Sequence, residues 1–161
     1  MPINFRLSPA EVEYIVHHCV ADAVWVDPSH ADLLDHLDVP HRFVLGEDDD
    51  LYNHDADPRP WSDCREDAPA TINYTSGTTA KPKGVQLSHR SLWLNACVLA
   101  LHAGVSDRDV YLHTLPMFHV NGWGLPYAIT GLGGQHIILR QIDGTAVSND
   151  TESPCCALHR Q

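Results

Sequence analysis

Lysine is almost missing from this chain. Of its 161 residues only Lys81 and Lys83 are lysines; with the arginines they make 10 basic residues against 21 acidic ones, a formal net charge of −11. That balance excludes attachment to nucleic acid or to an anionic bilayer through bulk charge attraction. Long apolar runs are also lacking. None approaches the ~20 residues that a membrane-spanning helix needs, and no secretory apolar stretch opens the chain. The five cysteines, Cys19, Cys64, Cys97, Cys155 and Cys156, are odd in number and show no C-x-x-C spacing. They read as reduced thiols of a cytoplasmic protein, with Cys19 and Cys97 expected in the core. Twelve histidines are scattered without an H-E-x-x-H pair or other tight ligand spacing, so no histidine metal centre is expected.

What charge there is lies unevenly. Residues 1–67 hold sixteen acids against Arg6, Arg42, Arg59 and Arg65, whereas residues 68–161 hold five acids against six bases. From Thr71 to Ser106 there is no carboxylate at all, and Lys81, Lys83 and Arg90 sit inside that window. An anion site belongs in the second half.

At this length the chain has room for one ordinary domain. "LSPAEVEYIVHHCV" predicts a helix: Ser8 can cap it, Pro9 suits its first turn, and Glu11 completes a capping box. Val12, Ile15, Val16 and Cys19 then form one buried stripe at i, i+3, i+4 and i+7. "AVWVD" (23–27) reads as a strand, "SHADLLDHL" as a second helix capped by Ser29, and "HRFVLG" (41–46) as a second strand. Residues 47–69 lack periodicity and are rich in Asp and Pro, the composition of an acidic surface loop. "ATINYT" (70–75), "GVQLSH" (84–89), "DVYLHTLP" (109–116) and "QHIILR" (135–140) are further strands. "RSLWLNACVLALHAG" (90–104) is a helix ending at Gly104. "MFHVNGWGLPYAITGLGG" mixes a helical apolar pattern with Gly and Pro breaks, and after Asp143 all pattern stops. The fold class is therefore α/β, strands of a sheet with helices against it.

The chemistry gathers in "NYTSGTTAKPKGVQLSH" (73–89). Glycines let a backbone approach a ligand and turn its N–H groups inward. Thr75, Ser76, Thr78 and Thr79 add hydroxyl donors, and Lys83 a point charge. Each hydrogen bond to a charged group contributes ~1.5–3 kcal/mol, so three or four would hold a phosphate. The segment is not a Walker A loop, since Pro82 stands where its second Gly would be and Gly84 where its Ser or Thr would be. On composition alone two readings stay open, an oxyanion cradle and a plain Ser/Thr/Gly hairpin.

"TSGTTAKPKG" (75–84) resembles the phosphate-loop signature of the adenylate-forming superfamily, [ST]-S-G-[ST]-T-G-x-P-K-G, and "LPMFHVNGWGLPYA" (115–128) is similar to the corresponding region of its fatty-acid–CoA ligases. The opening "PINFRLSPAEVEYIVHH" resembles an internal piece of the same N-terminal domain. The resemblance implies an incomplete AMP-binding domain over 1–143, with 47–69 a loop within it and 144–161 a disordered tail of other origin. It implies a reaction in which a fatty acid and ATP give an acyl-adenylate, and coenzyme A then takes the acyl group. Carried over, Thr75, Ser76, Gly77, Thr78, Thr79, Lys83 and Gly84 would line the β- and γ-phosphates, with Thr75 also beside Mg2+. His119 would be the catalytic residue next to the reacting carboxylate, and Trp123 would gate the acyl tail. Taken without the resemblance, His119 reads as a partly buried, satisfied histidine and Trp123 as a large core residue. One departure falls inside the signature, where Ala80 replaces Gly.

The family's Y-G-x-T-E segment, with its magnesium Glu, does not occur here, nor does the T-G-D segment, with its ribose Asp. No lysine remains for the family's C-terminal lid. The expectation is a truncated piece of a ligase, inactive alone, with small-molecule substrates by resemblance and no nucleic acid or membrane span. The alternatives are a non-catalytic remnant that binds a nucleotide or a protein partner weakly, and one half of a split enzyme completed by a complementary chain.

Overall fold

The computed structural model describes residues 1–47, 57, 64–75 and 81–139. These fall into two compact units. One comprises Ile3–Cys64 and Tyr74–Gly84; the other comprises Arg65–Asn73 and the chain from Val85 onward, with Met1 and Pro2. The expected tail and most of the acidic loop lie outside the described residues.

In the first unit, helix α1 (Pro9–His18) forms as its sequence dictates. The Glu11 carboxylate accepts from the Ser8 amide at 2.9 Å and from the Ser8 hydroxyl at 2.7 Å. Those hydrogen bonds, the hydroxyl's first, hold the Glu11 carboxyl below its ordinary pKa. Val12, Ile15 and Val16 are buried in one stripe. Cys19, the fourth expected member, is only half-buried, because the helix has already ended at His18. Strands β1 (Ala23–Val26) and β2 (His41–Val44) pair in parallel, from Ala23 opposite His41 to Val26 opposite Val44.

The element between them differs from expectation. It is a 3-10 helix, Pro28–His36, kinked at His30, and its cap is Asp27 rather than Ser29. The Asp27 carboxylate accepts from both the amide and the hydroxyl of Ser29, at 2.9 and 2.6 Å. The Asp27 side chain thus satisfies a first-turn amide that has no partner within the helix, and Pro28 brings its preset φ to the first turn. Leu34 and Leu37 carry this element onto Val12 and Val16, with Val24, Val26 and Val44 packed around them. Fully burying a side chain such as Val16 stabilises by ~1.5–3 kcal/mol.

Strands β3 (Pro69–Thr75) and β4 (Lys83–Ser88) pair with each other. In the second unit, α2 (His89–Ala103) starts on Ser88, whose hydroxyl accepts from the Ser91 amide, and stops at Gly104 with φ 66°. Strands β5 (Val110–His113) and β6 (Gln135–Ile138) pair in parallel, Tyr111 opposite His136. Between them come a short element, α3 (Val120–Trp123), and helix α4 (Leu125–Leu132), which packs against α2. Ala100, Val105, Tyr111, Leu125 and the fully buried Ile129 form this core. At Gly134, just before β6, a Cβ would lie 3.1 Å from the Asp109 carbonyl and from the Ile129 side chain, and 3.3 Å from the Ser106 carbonyl. Only glycine lets the strand enter there without displacement. The core side of α2 is matched by an apolar outer side: Leu94, Val98 and Leu101 are exposed, Leu101 to 81%, as is Ile138 on β6 to 79%. Cys97, the other expected core thiol, is half-buried. Among the described residues no helix is long and apolar enough to cross a membrane.

Candidate functional site

Of the residues assigned to phosphate binding, Thr75 closes β3, while Lys83 opens β4 and Gly84 follows it; all three are exposed. Ser76, Gly77, Thr78 and Thr79 lie outside the described residues. Neither Thr75 nor Lys83 makes a side-chain hydrogen bond or ion pair with another described residue, so both are available to a ligand. The shoulders of the segment are held by α1. Tyr74 meets His18 at 2.6 Å between its hydroxyl and Nδ1. Tyr14, one turn earlier on the same helix face, reaches the Pro82 carbonyl with a long 3.4 Å contact. Lys81 Nζ lies 5.1 Å from the centre of the Tyr14 ring, a cation–π contact of ~0.5–1 kcal/mol at an exposed site. Burial pushes the Tyr74 hydroxyl pKa upward, with Cys19 and Tyr14 adding to it, so Tyr74 stays neutral. Of the two lysines, then, Lys81 is engaged and Lys83 is open to an anion.

The second group, in the other unit, is built on a backbone that periodicity does not disclose. Element α3 is a left-handed turn. Successive φ values from Val120 to Gly124 are 48°, 50°, 59°, 63° and 76°. Left-handed geometry costs roughly 1–2 kcal/mol for each residue with a Cβ, and a β-branched residue such as Val120 is a marked outlier there. The turn directs Asn121 and Gly122 inward and leaves His119, Val120 and Trp123 exposed, Trp123 to 63%. This corrects two structural readings: Trp123 is not a core residue, and His119 is neither partly buried nor hydrogen-bonded through its ring among the described residues.

Asn121 closes a ring of side-chain hydrogen bonds with Asn73 and Thr71. Asn73 Nδ2 donates to Asn121 Oδ1 at 2.8 Å. Asn121 Nδ2 donates to Thr71 Oγ1, and the Thr71 hydroxyl donates to Asn73 Oδ1, both at 3.4 Å. Asn73 and Asn121 are 7% and 3% exposed and are the buried polar residues of the described chain. No buried side-chain nitrogen or oxygen of the described residues is left without a partner. Sequence reasoning missed this ring. Its signal was the Asn-Gly pair at 121–122, a dipeptide that favours positive φ.

A third cluster joins β5, β6 and α4. His113 Nε2 meets His136 Nδ1 at 2.8 Å, and His136 Nε2 meets the Thr130 hydroxyl at 3.0 Å. Burial first, and then the neighbouring His136, lower the His113 pKa. Among the described residues no group of three or more His, Cys, Asp or Glu could hold a metal ion.

Comparison with known proteins identifies the family and the fold. The sequence model of the AMP-binding enzyme family matches residues 1–151. A 4-hydroxybutyrate–CoA ligase of Metallosphaera sedula is 35% identical over 164 residues, covering 89% of this chain and 30% of the relative. A long-chain-fatty-acid–CoA ligase of Thermus thermophilus is 36% identical over 150 residues, covering 84% and 27%. Among solved structures, the inhibitor-bound N-terminal domain of FACL13 from Mycobacterium tuberculosis has a TM-score of 0.84 at 30% identity, over 96% of this chain and 41% of that one. The chain thus spans about 30% of the length of these curated relatives. Its α/β fold is that of the N-terminal domain of adenylate-forming enzymes, and the chain belongs to the AMP-binding enzyme family.

Proposed function

We propose that this chain supplies part of the active site of a cytoplasmic ATP-dependent fatty-acid–CoA ligase and does not complete the reaction alone. The observation that carries the reading is the exposure of Thr75 and Lys83 at the two ends of the signature segment, on paired strands, in a chain of this family. An exposed hydroxyl and an exposed ammonium, in a stretch of sequence free of carboxylates, suit a polyphosphate. Ser76, Gly77, Thr78, Thr79 and Gly84 complete the proposed phosphate contacts, and Thr75 also suits a Mg2+ ion, which would neutralise phosphate charge.

In the first step a carboxylate oxygen attacks the α-phosphorus of ATP and pyrophosphate leaves. An imidazole N–H of His119 would hold that carboxylate in line. In the second step the coenzyme A sulfur attacks the acyl carbonyl and AMP leaves. A fatty acid is favoured over a short polar acid because Leu115, Met117, Val120 and Trp123 are all exposed apolar side chains in one stretch. The relatives include a long-chain-fatty-acid–CoA ligase and a 4-hydroxybutyrate–CoA ligase, so the choice rests on these side chains.

Two features favour incompleteness: the sequence holds neither a Y-G-x-T-E nor a T-G-D segment, and its only lysines flank Pro82. Phosphate contacts alone support millimolar affinity, ~4 kcal/mol. The test is titration of the purified chain with MgATP, with thioester formation from fatty acid, ATP and coenzyme A followed in parallel. Millimolar binding that weakens about tenfold in Lys83→Ala, and much less in Lys81→Ala, is expected, without thioester. Thioester made by the chain alone would refute incompleteness, and binding indifferent to Lys83 would refute the phosphate reading. A split ligase would show itself if a second chain carrying the missing segments restored thioester formation.

A further inference from the structure

We infer that Asn121, fixed by Asn73 and Thr71, is a positioning residue: it holds the left-handed turn from which His119 and Trp123 project. The inference rests on the proposed roles of His119 and Trp123 and adds to them the group that sets their geometry.

The argument begins with the backbone. A run of five left-handed residues that includes valine and tryptophan does not persist by local preference. Among the bonds that close the turn, the amide of Gly122 donates to the His119 carbonyl at 3.0 Å and that of Gly124 to the Asn121 carbonyl at 3.1 Å. Short i to i+3 bonds of this kind close a turn of either hand. What distinguishes the observed one is that it sends the Asn121 amide group inward, where each polar atom of the ring finds a partner. Reversing the hand would withdraw Asn121 and leave the buried Asn73 amide nitrogen without its acceptor, a costly state for a buried donor. Asn is also among the residues with a Cβ that best tolerate positive φ. The same side chain therefore meets both demands of the position.

His119 lies two residues before Asn121 and Trp123 two residues after it. Their outward placement follows from the hand of the turn between them, since neither makes a side-chain hydrogen bond to another described residue. The ring is thus separate from the groups it places, and none of its three side chains is exposed.

The test uses the whole chain with 5-fluorotryptophan and [13C]histidine labels. The spectra report the local state of Trp123 and His119 whether or not any ligand binds. Asn121→Ala is expected to shift and broaden both signals and to raise chymotryptic cleavage after Phe118 and Trp123 by about tenfold, on the view that local opening governs cutting. The signals of Trp25 and Trp93 should stay in place. Asn121→Asp, whose carboxylate still accepts from Asn73, should restore the His119 and Trp123 signals in part. Thr71→Val, a milder loss, should move the same two signals in the same direction. Unchanged His119 and Trp123 signals in folded Asn121→Ala would overturn the inference. So would unfolding in all three variants, which would make the ring an element of the fold alone. A shift of both signals in a chain that shows no MgATP binding would uphold the positioning while removing the ligase reading.

Discussion

At the scale of single residues, the site is assembled from side chains whose surroundings decide their state. His113 is the clearest titrating case. Burial, reinforced by His136, lowers its pKa below the ordinary 6.5. The unfolded chain therefore binds its proton first as pH falls. The His113 contribution is fully present above about pH 6.5 and is lost as pH drops through the folded-state value. Thermal unfolding followed between about pH 7.5 and 5 should show stability falling on the acid side, with a shallower fall in His113→Gln. Identical pH profiles for the two chains would contradict that. Lys81 and Lys83 differ in surroundings. Two residues apart in sequence and both exposed, one has its ammonium against the Tyr14 ring and the other does not, and only coordinates separate them.

At the scale of elements, much was legible because helix ends and alternation are local. The Ser8–Glu11 box, the Gly104 stop and the strands around residues 70–75 and 135–138 follow from spacing. Elements whose shape depends on distant partners were not legible. The helical apolar pattern at 117–132 proved real only from Leu125. The residues before it take the opposite hand, because the buried amide of Asn121 and its hydrogen bonds outweigh periodicity there. The cap at Asp27 was missed because two acceptors compete within three residues. For the proposed site, sequence marks which residues are suited to phosphate through a motif, whereas the Asn73–Asn121–Thr71 ring needs residues 48 and 50 positions apart to meet.

A prediction belongs to the βαβ arrangement of β5, α4 and β6. Gly134→Ala places a methyl group against two carbonyl oxygens and Ile129, and should destabilise by ~1–3 kcal/mol as overpacking does. Chemical denaturation would measure it. A change below about 0.5 kcal/mol, the range of surface substitutions, would mean that the turn yields freely.

At the scale of the whole molecule, the outer side of α2 and the end of β6 set its behaviour. Leu94, Val98 and Leu101, spaced along one side of α2, leave apolar area in water, as does Ile138 on β6, and exposed apolar surface of that kind favours association. Leu101→Glu should lower light scattering of concentrated samples and leave the unfolding midpoint nearly unchanged, as exposed substitutions do. A large loss of stability would show instead that Leu101 is covered.

The position of Lys83 at the open start of β4 has a practical consequence. A protease specific for lysyl bonds meets only two candidates, and the Lys81–Pro82 bond resists cutting because of its imide. Digestion would reduce to a single scission after Lys83, at the downstream end of the signature segment. The rate of that one cut, slowed by whatever comes to bind Lys83, would give a gel-based readout of occupancy in the unaltered polypeptide.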